Sequence, residues 1–142
     1  MIDKLAWIHL DGGRILGARS RGKDVFYLPG GKREPGESDA DALVREVREE
    51  LTVDLLPGTL EHFGTWEAEA HGHGGVTVRM TCYTGGHTGR PAPGGEVEEV
   101  AWLTYADRDR VSPVNRLIFD DLHAAGRLGP PTGPGPRPSP GR

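Results

Sequence analysis

The segment from Gly31 to Val53, GKREPGESDADALVREVREELTV, constrains the fold more than any other stretch of the chain. It reads as a loop feeding one amphipathic helix, Ser38 to Leu51, with Ser38 or Asp39 as N-cap and acidic residues in the first turn. Ala40, Leu43, Val44, Val47 and Leu51 recur at helical spacing and form an apolar stripe that has to be covered. Glu46, Glu49 and Glu50 stand at i, i+3 and i+4, so their carboxylates share a different face and repel one another. A divalent cation offsets that repulsion directly, and hard carboxylate oxygens suit magnesium or manganese better than zinc. The plain alternative is a solvated acidic face on which Arg45 and Arg48 make ordinary i,i+4 pairs. The helix alone leaves both readings open.

The preceding loop bears on that choice. Leu28-Pro29-Gly30-Gly31-Lys32 follows an apolar run, Val25 to Leu28, that reads as a strand, and Glu37 sits just before the helix. Together these residues resemble the box of the Nudix family of MutT-like hydrolases, G-x5-E-x7-R-E-U-x-E-E-x-G-U, with U a bulky aliphatic residue. The matching residues are Gly31, Glu37, Arg45, Glu46, Val47, Glu49, Glu50 and Val53. Thr52 departs from the pattern by standing where the family has glycine. A left-handed backbone after a helix is easy only for glycine, so threonine there implies an altered helix exit but removes no metal ligand.

The resemblance implies an α/β fold, the Nudix α/β/α sandwich with a mixed β-sheet between helices. It implies Mg²⁺-dependent hydrolysis, with Mn²⁺ as substitute, of a diphosphate linked to another moiety, most often a nucleoside. Under it, Glu46, Glu49 and Glu50 bind metal or activate water, with the general base unassigned among them. Gly31 is a further metal ligand through its carbonyl, Arg45 orients a glutamate, and Glu37 holds the loop to the helix. Lys32 touches phosphate, or is an ordinary surface lysine.

Two later segments bear on substrate. An acidic run, Glu96-Val97-Glu98-Glu99, leads into a strand ending near Trp102. Counting back from Trp102 puts Glu96 where some members of the family carry an additional metal-site glutamate. Glu98 and Glu99 compete for that role, and a solubilising edge-strand run accounts for at least one of the three. Ser112-Pro113-Val114-Asn115 resembles the start of the last helix in members that act on oxidised purine nucleotides. Asn115 is there the matched base-reading position, since an amide pairs donor and acceptor with a base at once. A solvent-facing helical asparagine is the plainer alternative.

At 142 residues the chain suits one compact domain. Residues 1–128 read as that domain. From Gly129 to Arg142, ten of fourteen residues are proline or glycine, which predicts a disordered tail. Further strands are expected over Leu5–Leu10, Ile15–Ala18, Phe63–Ala70, Val76–Thr84 and Val97–Leu103, and a second helix from Pro113 to about Ala125 that stops at Gly126. Phe63 and Trp66 read as core, with a pocket-lining role the alternative. A net charge of −4 gives no general attraction to polymeric nucleic acid, so none is expected as partner. No apolar run suits a bilayer and the N-terminus does not read as a signal peptide, so the expectation is a cytoplasmic protein without membrane contact. Cys82 alone excludes an intramolecular disulfide and reads as an inert packed residue. His71 and His73 on a glycine-rich turn read as an exposed hairpin pair before they read as metal ligands. A homodimer, common in the family, is allowed but not marked by any long apolar stripe.

Three functions stay open at this stage. The leading one is a pyrophosphohydrolase acting on a small-molecule nucleoside di- or triphosphate or a related nucleoside diphosphate derivative. The others are a nucleotide-sensing module without turnover, and a hydrolase of a non-nucleotide diphosphate such as an isoprenyl diphosphate. Retention of all three box glutamates favours an enzyme over a sensor.

Overall fold

The computed structural model describes residues 1–70 and 72–129. His71 and the tail from residue 130 onward lie outside it, and so does the expectation of disorder there. The N-terminal strand β1 (Ile2–Trp7) sits inside a four-stranded sheet of order β4–β1–β7–β6, with β4 at Gly30–Gly31, β6 at Glu61–Ala70 and β7 at His73–Thr84. The β1–β7 pair is parallel and the other two pairs are antiparallel, so the sheet is mixed. A second sheet joins β2 (Leu10–Asp11), β3 (Arg14–Ser20) and β9 (Val97–Leu103), all antiparallel. A short ladder pairs β5 (Asp54–Leu55) with β8 (His87–Thr88).

Strand alternation sorts the side chains into two cores, one on each side. Leu5 and Trp7 join Ala42, Leu43, Val47 and Leu51 of helix α1 (Asp39–Leu51). Ala6 and Ile8 face the other way and join Val114, Ile118, Phe119 and Leu122 of helix α2 (Pro113–Ala124). This is the expected α/β/α layering. Ala42 takes the core position expected of Ala40, which is only half-buried. Proline opens α2, and Gly126, at φ +75°, ends it as expected. Cys82 is fully buried, and burial pushes its thiol up to about 12, so it stays inert.

One expected element does not form. Val25–Leu28 is no strand, because its backbone groups turn to different partners in succession. Phe26 N–H goes to Arg110 C=O, Tyr27 N–H to Ala18 C=O, and Leu28 N–H to the Asn115 side chain. Only isolated bridges, Ala18 to Tyr27 and Phe26 to Val111, remain of a ladder. Strand edges differ too: β1 starts at Ile2 and ends at Trp7, and the β6–β7 hairpin extends beyond both expected segments. No helix among the described residues is long and apolar enough to cross a membrane.

Candidate active site

Helix α1 is placed by its caps. Ser38 caps its start, with Oγ accepting from Asp41 N–H at 3.1 Å, and Asp39 and Asp41 complement the positive end of the helix dipole. Thr52 closes it at φ 58°, ψ 26°. The altered exit expected from threonine is therefore absent. Thr52 adopts the left-handed backbone itself, and its N–H reaches Arg48 C=O at 3.0 Å.

The loop that enters α1 is locked by Arg45. Its Nε and Nη2 each donate to Glu37 at 2.8 Å, and Nη2 also reaches Lys32 C=O at 3.1 Å. Glu37 in turn accepts from Glu34 N–H at 2.7 Å. The Arg45 hydrogen bonds, with help from that N–H, hold the Glu37 carboxyl down at about 2. Arg45 Nη1 binds Glu49 at 3.2 Å and lies 3.5 Å from Glu46. Arg45 thus joins the loop, through Glu37 and Lys32 C=O, to the helix face that carries Glu46 and Glu49.

Glu46 and Glu50, one turn apart, point instead into a cavity of about 560 Å³ at the β4 edge of the sheet. Glycine is needed at two places here. A Cβ on Gly30, whose φ is +151°, would collide with Leu5 C=O, and a Cβ on Gly31 would run into the Glu46 carboxylate. The close approach lets Gly30 N–H donate to Glu50 Oε1 at 3.0 Å. Burial nevertheless pushes Glu50 up to about 8, with the Glu46 charge adding to the shift against that hydrogen bond. Burial raises Glu46 as well, against the pull of Arg45. Glu49 faces outward, and its side chain is 56% exposed.

The rest of the cavity wall is mixed. Lys4 is close enough to Glu46, Glu50 and Lys32 to feel their charges, and Ile2, Val78, Met80, Val114 and Asn115 line the cavity with them. Asn115 is 1% exposed, so it is not the solvent-facing residue of the plainer alternative. Its Oδ1 accepts from Leu28 N–H at 3.4 Å and its Nδ2 donates to Ser112 Oγ at 2.6 Å. Ser112 thus serves Asn115 and makes no side-chain cap on the α2 backbone.

Other sequence candidates fall elsewhere. Glu96 is not in the cavity wall, although its charge reaches the Tyr27 hydroxyl together with those of Glu50 and Glu46. Glu98 and Glu99 are both tied to Arg19, at 3.0 and 3.2 Å, and neither lines the cavity. Phe63 and Trp66 pack partly buried against the α2-side core, and neither lines the cavity. Sequence reading missed Lys4 and Tyr27. The signal for Lys4 was present: it is the one charge in the alternating row Ile2, Lys4, Ala6, Ile8.

Oxygen donors at Glu46 and Glu50, both with raised proton affinity, are chemically suited to a hard divalent cation, which would offset their crowded charge. Among the described residues no three acidic, histidine or cysteine side chains converge on one point. Glu49, which would complete the set, is engaged by Arg45.

Comparison with known proteins identifies the family. Residues 5–122 match the NUDIX domain. The NAD-capped RNA hydrolase NudC of Pseudomonas putida (strain GB-1) is 34% identical over 125 residues, covering 84% of this chain and 43% of the relative. The chain thus spans less than half the length of the curated relatives it matches. Among solved structures, the E. coli ORF135 protein superposes with a TM-score of 0.68 at 27% identity, covering 88% of this chain and 92% of that one. A NUDIX hydrolase from Nitrosomonas europaea gives 0.70 at 21% identity, covering 91% and 92%, and shows the same fold. The chain belongs to the Nudix family of hydrolases, which act on phosphorus-containing acid anhydrides.

Proposed function

We propose that this protein is a Mg²⁺-dependent pyrophosphohydrolase that cleaves the diphosphate linkage of a nucleoside di- or triphosphate or a related nucleoside diphosphate derivative. The observation that carries the reading is the mixed lining of one cavity. Carboxylates and lysines share its wall with apolar side chains and a buried amide. A polar anionic linkage suits the charged groups and a flat heterocycle the apolar ones. Mg²⁺, or Mn²⁺ in its place, supplies charge neutralisation at the phosphate oxygens and a more acidic attacking water. Glu46 and Glu50 are the groups that would hold it, with Glu49 and the Gly31 carbonyl as further candidate ligands and Glu96 a more distant one.

The protein's own residues then do the following. Glu46, Glu49 and Glu50 accept the proton of the attacking water among them, Glu50 being the best placed by burial. Arg45 fixes the loop through Glu37 and Lys32 C=O, so that Lys32 is presented to phosphate. Asn115 has one Nδ2 hydrogen left over after Ser112 and contacts the base with it. The relatives named as NAD-capped RNA hydrolases favour a nucleoside diphosphate derivative and bring an RNA-linked substrate into range, against the expectation from net charge.

The test is identification of the hydrolysis products (phosphate, pyrophosphate and the phosphate monoesters left by cleavage of an internal diphosphate) from a panel of nucleotides, dinucleotides, sugar nucleotides, isoprenyl diphosphates and NAD-capped RNA, with Mg²⁺ and with EDTA. Metal-dependent turnover of a nucleotide class supports the proposal. Turnover confined to isoprenyl diphosphates, or tight binding with no turnover of any member, rejects it.

A further inference from the structure

Lys4 is set in apolar surroundings that do not by themselves explain a charge. It stands on the face of β1 that carries Ala6 and Ile8 into the α2-side core, and pairs in register with Met80 of β7. Ile2 and Met80 line the cavity beside it. Among the described residues its ammonium makes no ion pair or hydrogen bond, although the charges of Glu46 and Glu50 reach it.

A second observation concerns its other neighbour. The antiparallel β1–β4 pair matches Leu5 with Gly31 and Ala6 with Gly30. Continuing that register by one residue sets Lys4 opposite Lys32, and the Lys32 charge does act on Lys4. Like charges directly opposite one another across an antiparallel pair are destabilising. Both side chains line the same cavity next to the carboxylates. Two facing lysines with no carboxylate in bonding distance of Lys4 make a place for an anion with several oxygens.

We infer that Lys4, with Lys32 opposite, binds the non-bridging oxygens of the substrate's diphosphate, and that Lys4 supplies the contact on the sheet side of the cavity. The inference rests on the proposed diphosphate chemistry and deepens it by naming a binding residue outside the box. Lys32 sits on the loop held by Arg45, whereas Lys4 sits on a strand inside the sheet. The strand lysine is therefore the more rigidly placed of the two, with Ile2 and Met80 as its neighbours on the same face of the sheet.

The experiment is titration calorimetry of methylenediphosphonate, a non-hydrolysable diphosphate, in Mg²⁺, on the full chain and on Lys4→Met, which keeps the apolar stem. A charged hydrogen bond of this kind predicts affinity weaker by about 10- to 100-fold in Lys4→Met, with Lys4→Arg within several-fold of the original chain. With a turned-over nucleotide, KM should rise by a similar factor while kcat changes less, as expected when ground state and transition state are bound alike. Lys4→Gln serves as a second neutral variant where Lys4→Met fails to give the native melting transition. Native affinity and KM in a folded neutral variant, alongside wild-type turnover, would overturn the role of Lys4 and leave the hydrolase reading standing. A wild-type protein that neither binds the diphosphonate nor hydrolyses the nucleotide panel would overturn both.

Discussion

Two rows of side chains run along helix α1, one residue apart, and they behave in opposite ways. Arg45 and Glu49 form an i,i+4 pair of opposite charge, bonded at 3.2 Å, with the glutamate exposed and the arginine half-buried. Glu46 and Glu50 form an i,i+4 pair of like charge that points into the cavity. The first row is self-sufficient and adds a few tenths of a kcal/mol to the helix. The second is unstable on its own terms: burial raises both carboxyls, and the Glu46 charge makes Glu50 harder still to ionise. A sequence motif of three glutamates therefore hides two kinds of glutamate. What separates them is whether the neighbouring wall is water or the Gly30–Gly31 backbone.

The largest expected effect comes from removing the buried member. Glu50→Gln should lower kcat by several orders of magnitude with the fold retained, because the amide oxygen can still accept from Gly30 N–H. The same change tests the electrostatics without substrate. The folded pKa of Glu50 lies near 8, above its ordinary value of 4.5. Its contribution to stability is thus fully present below 4.5 and is lost as pH rises through about 8. In metal-free buffer Glu50→Gln should melt higher than wild type at pH 8–9, by on the order of a few kcal/mol, and the gap should close toward pH 5. Equal melting curves across that range would mean that Glu50 is not buried as described. Glu49→Gln sharpens the contrast: its loss in kcat should be smaller. A loss as large as that of Glu50→Gln would show that Glu49 leaves Arg45 and joins the inner row during turnover.

Next in size is the residue that keeps the rows apart. Arg45→Lys cannot make the two-pronged contact with Glu37 and also reach Lys32 C=O and Glu49. A positioning residue of this kind typically costs about 10- to 100-fold in activity. Steady-state kinetics of the lysine variant check it, and a change below threefold would mean the loop holds its place without the fork.

Much of this was legible in the chain, and the exceptions have physical causes. The helix, its Ser38 cap and the box residues follow from local chemistry, so α1 begins and ends where spacing and capping put it. The split between Glu49 and Glu50 was not legible, since it depends on which side of the helix meets the glycine loop. Val25–Leu28 reads as a strand by composition but spends its backbone bonds on three different partners. Lys4 is not legible because the sequence expectation starts the N-terminal strand at Leu5, which leaves its charge outside the alternation. Asn115 was legible as a candidate but not as a buried one, because burial comes from the return of the chain at Leu28.

Asn115, which lines the same cavity, extends this comparison. Its amide is already bonded to Leu28 N–H and Ser112 Oγ, so it differs from the inner glutamates in being satisfied by the protein itself. Asn115→Ala leaves Leu28 N–H unpaired in a buried place and should cost about 1–3 kcal/mol of stability, seen as a lower urea midpoint. It should alter the ranking of bases more than kcat on a poor substrate. An unchanged ranking would confine Asn115 to holding the loop.

The smallest effect is expected at Thr52, where the chain leaves the two rows. It is the one described non-glycine residue with positive φ, and it occupies the position where the family has glycine. A β-branched side chain in the left-handed region costs about 1–2 kcal/mol, but glycine also loses more freedom on folding, which returns part of that gain. Thr52→Gly should therefore raise stability by only about 0.5–1 kcal/mol, and the melting temperature by a few degrees, with kcat unchanged. The side chain is exposed and the backbone N–H bond to Arg48 C=O survives the change, so neither row of α1 has reason to move. A fall in stability would show that the threonine methyl, packed toward Gly94, contributes more than its backbone strain removes.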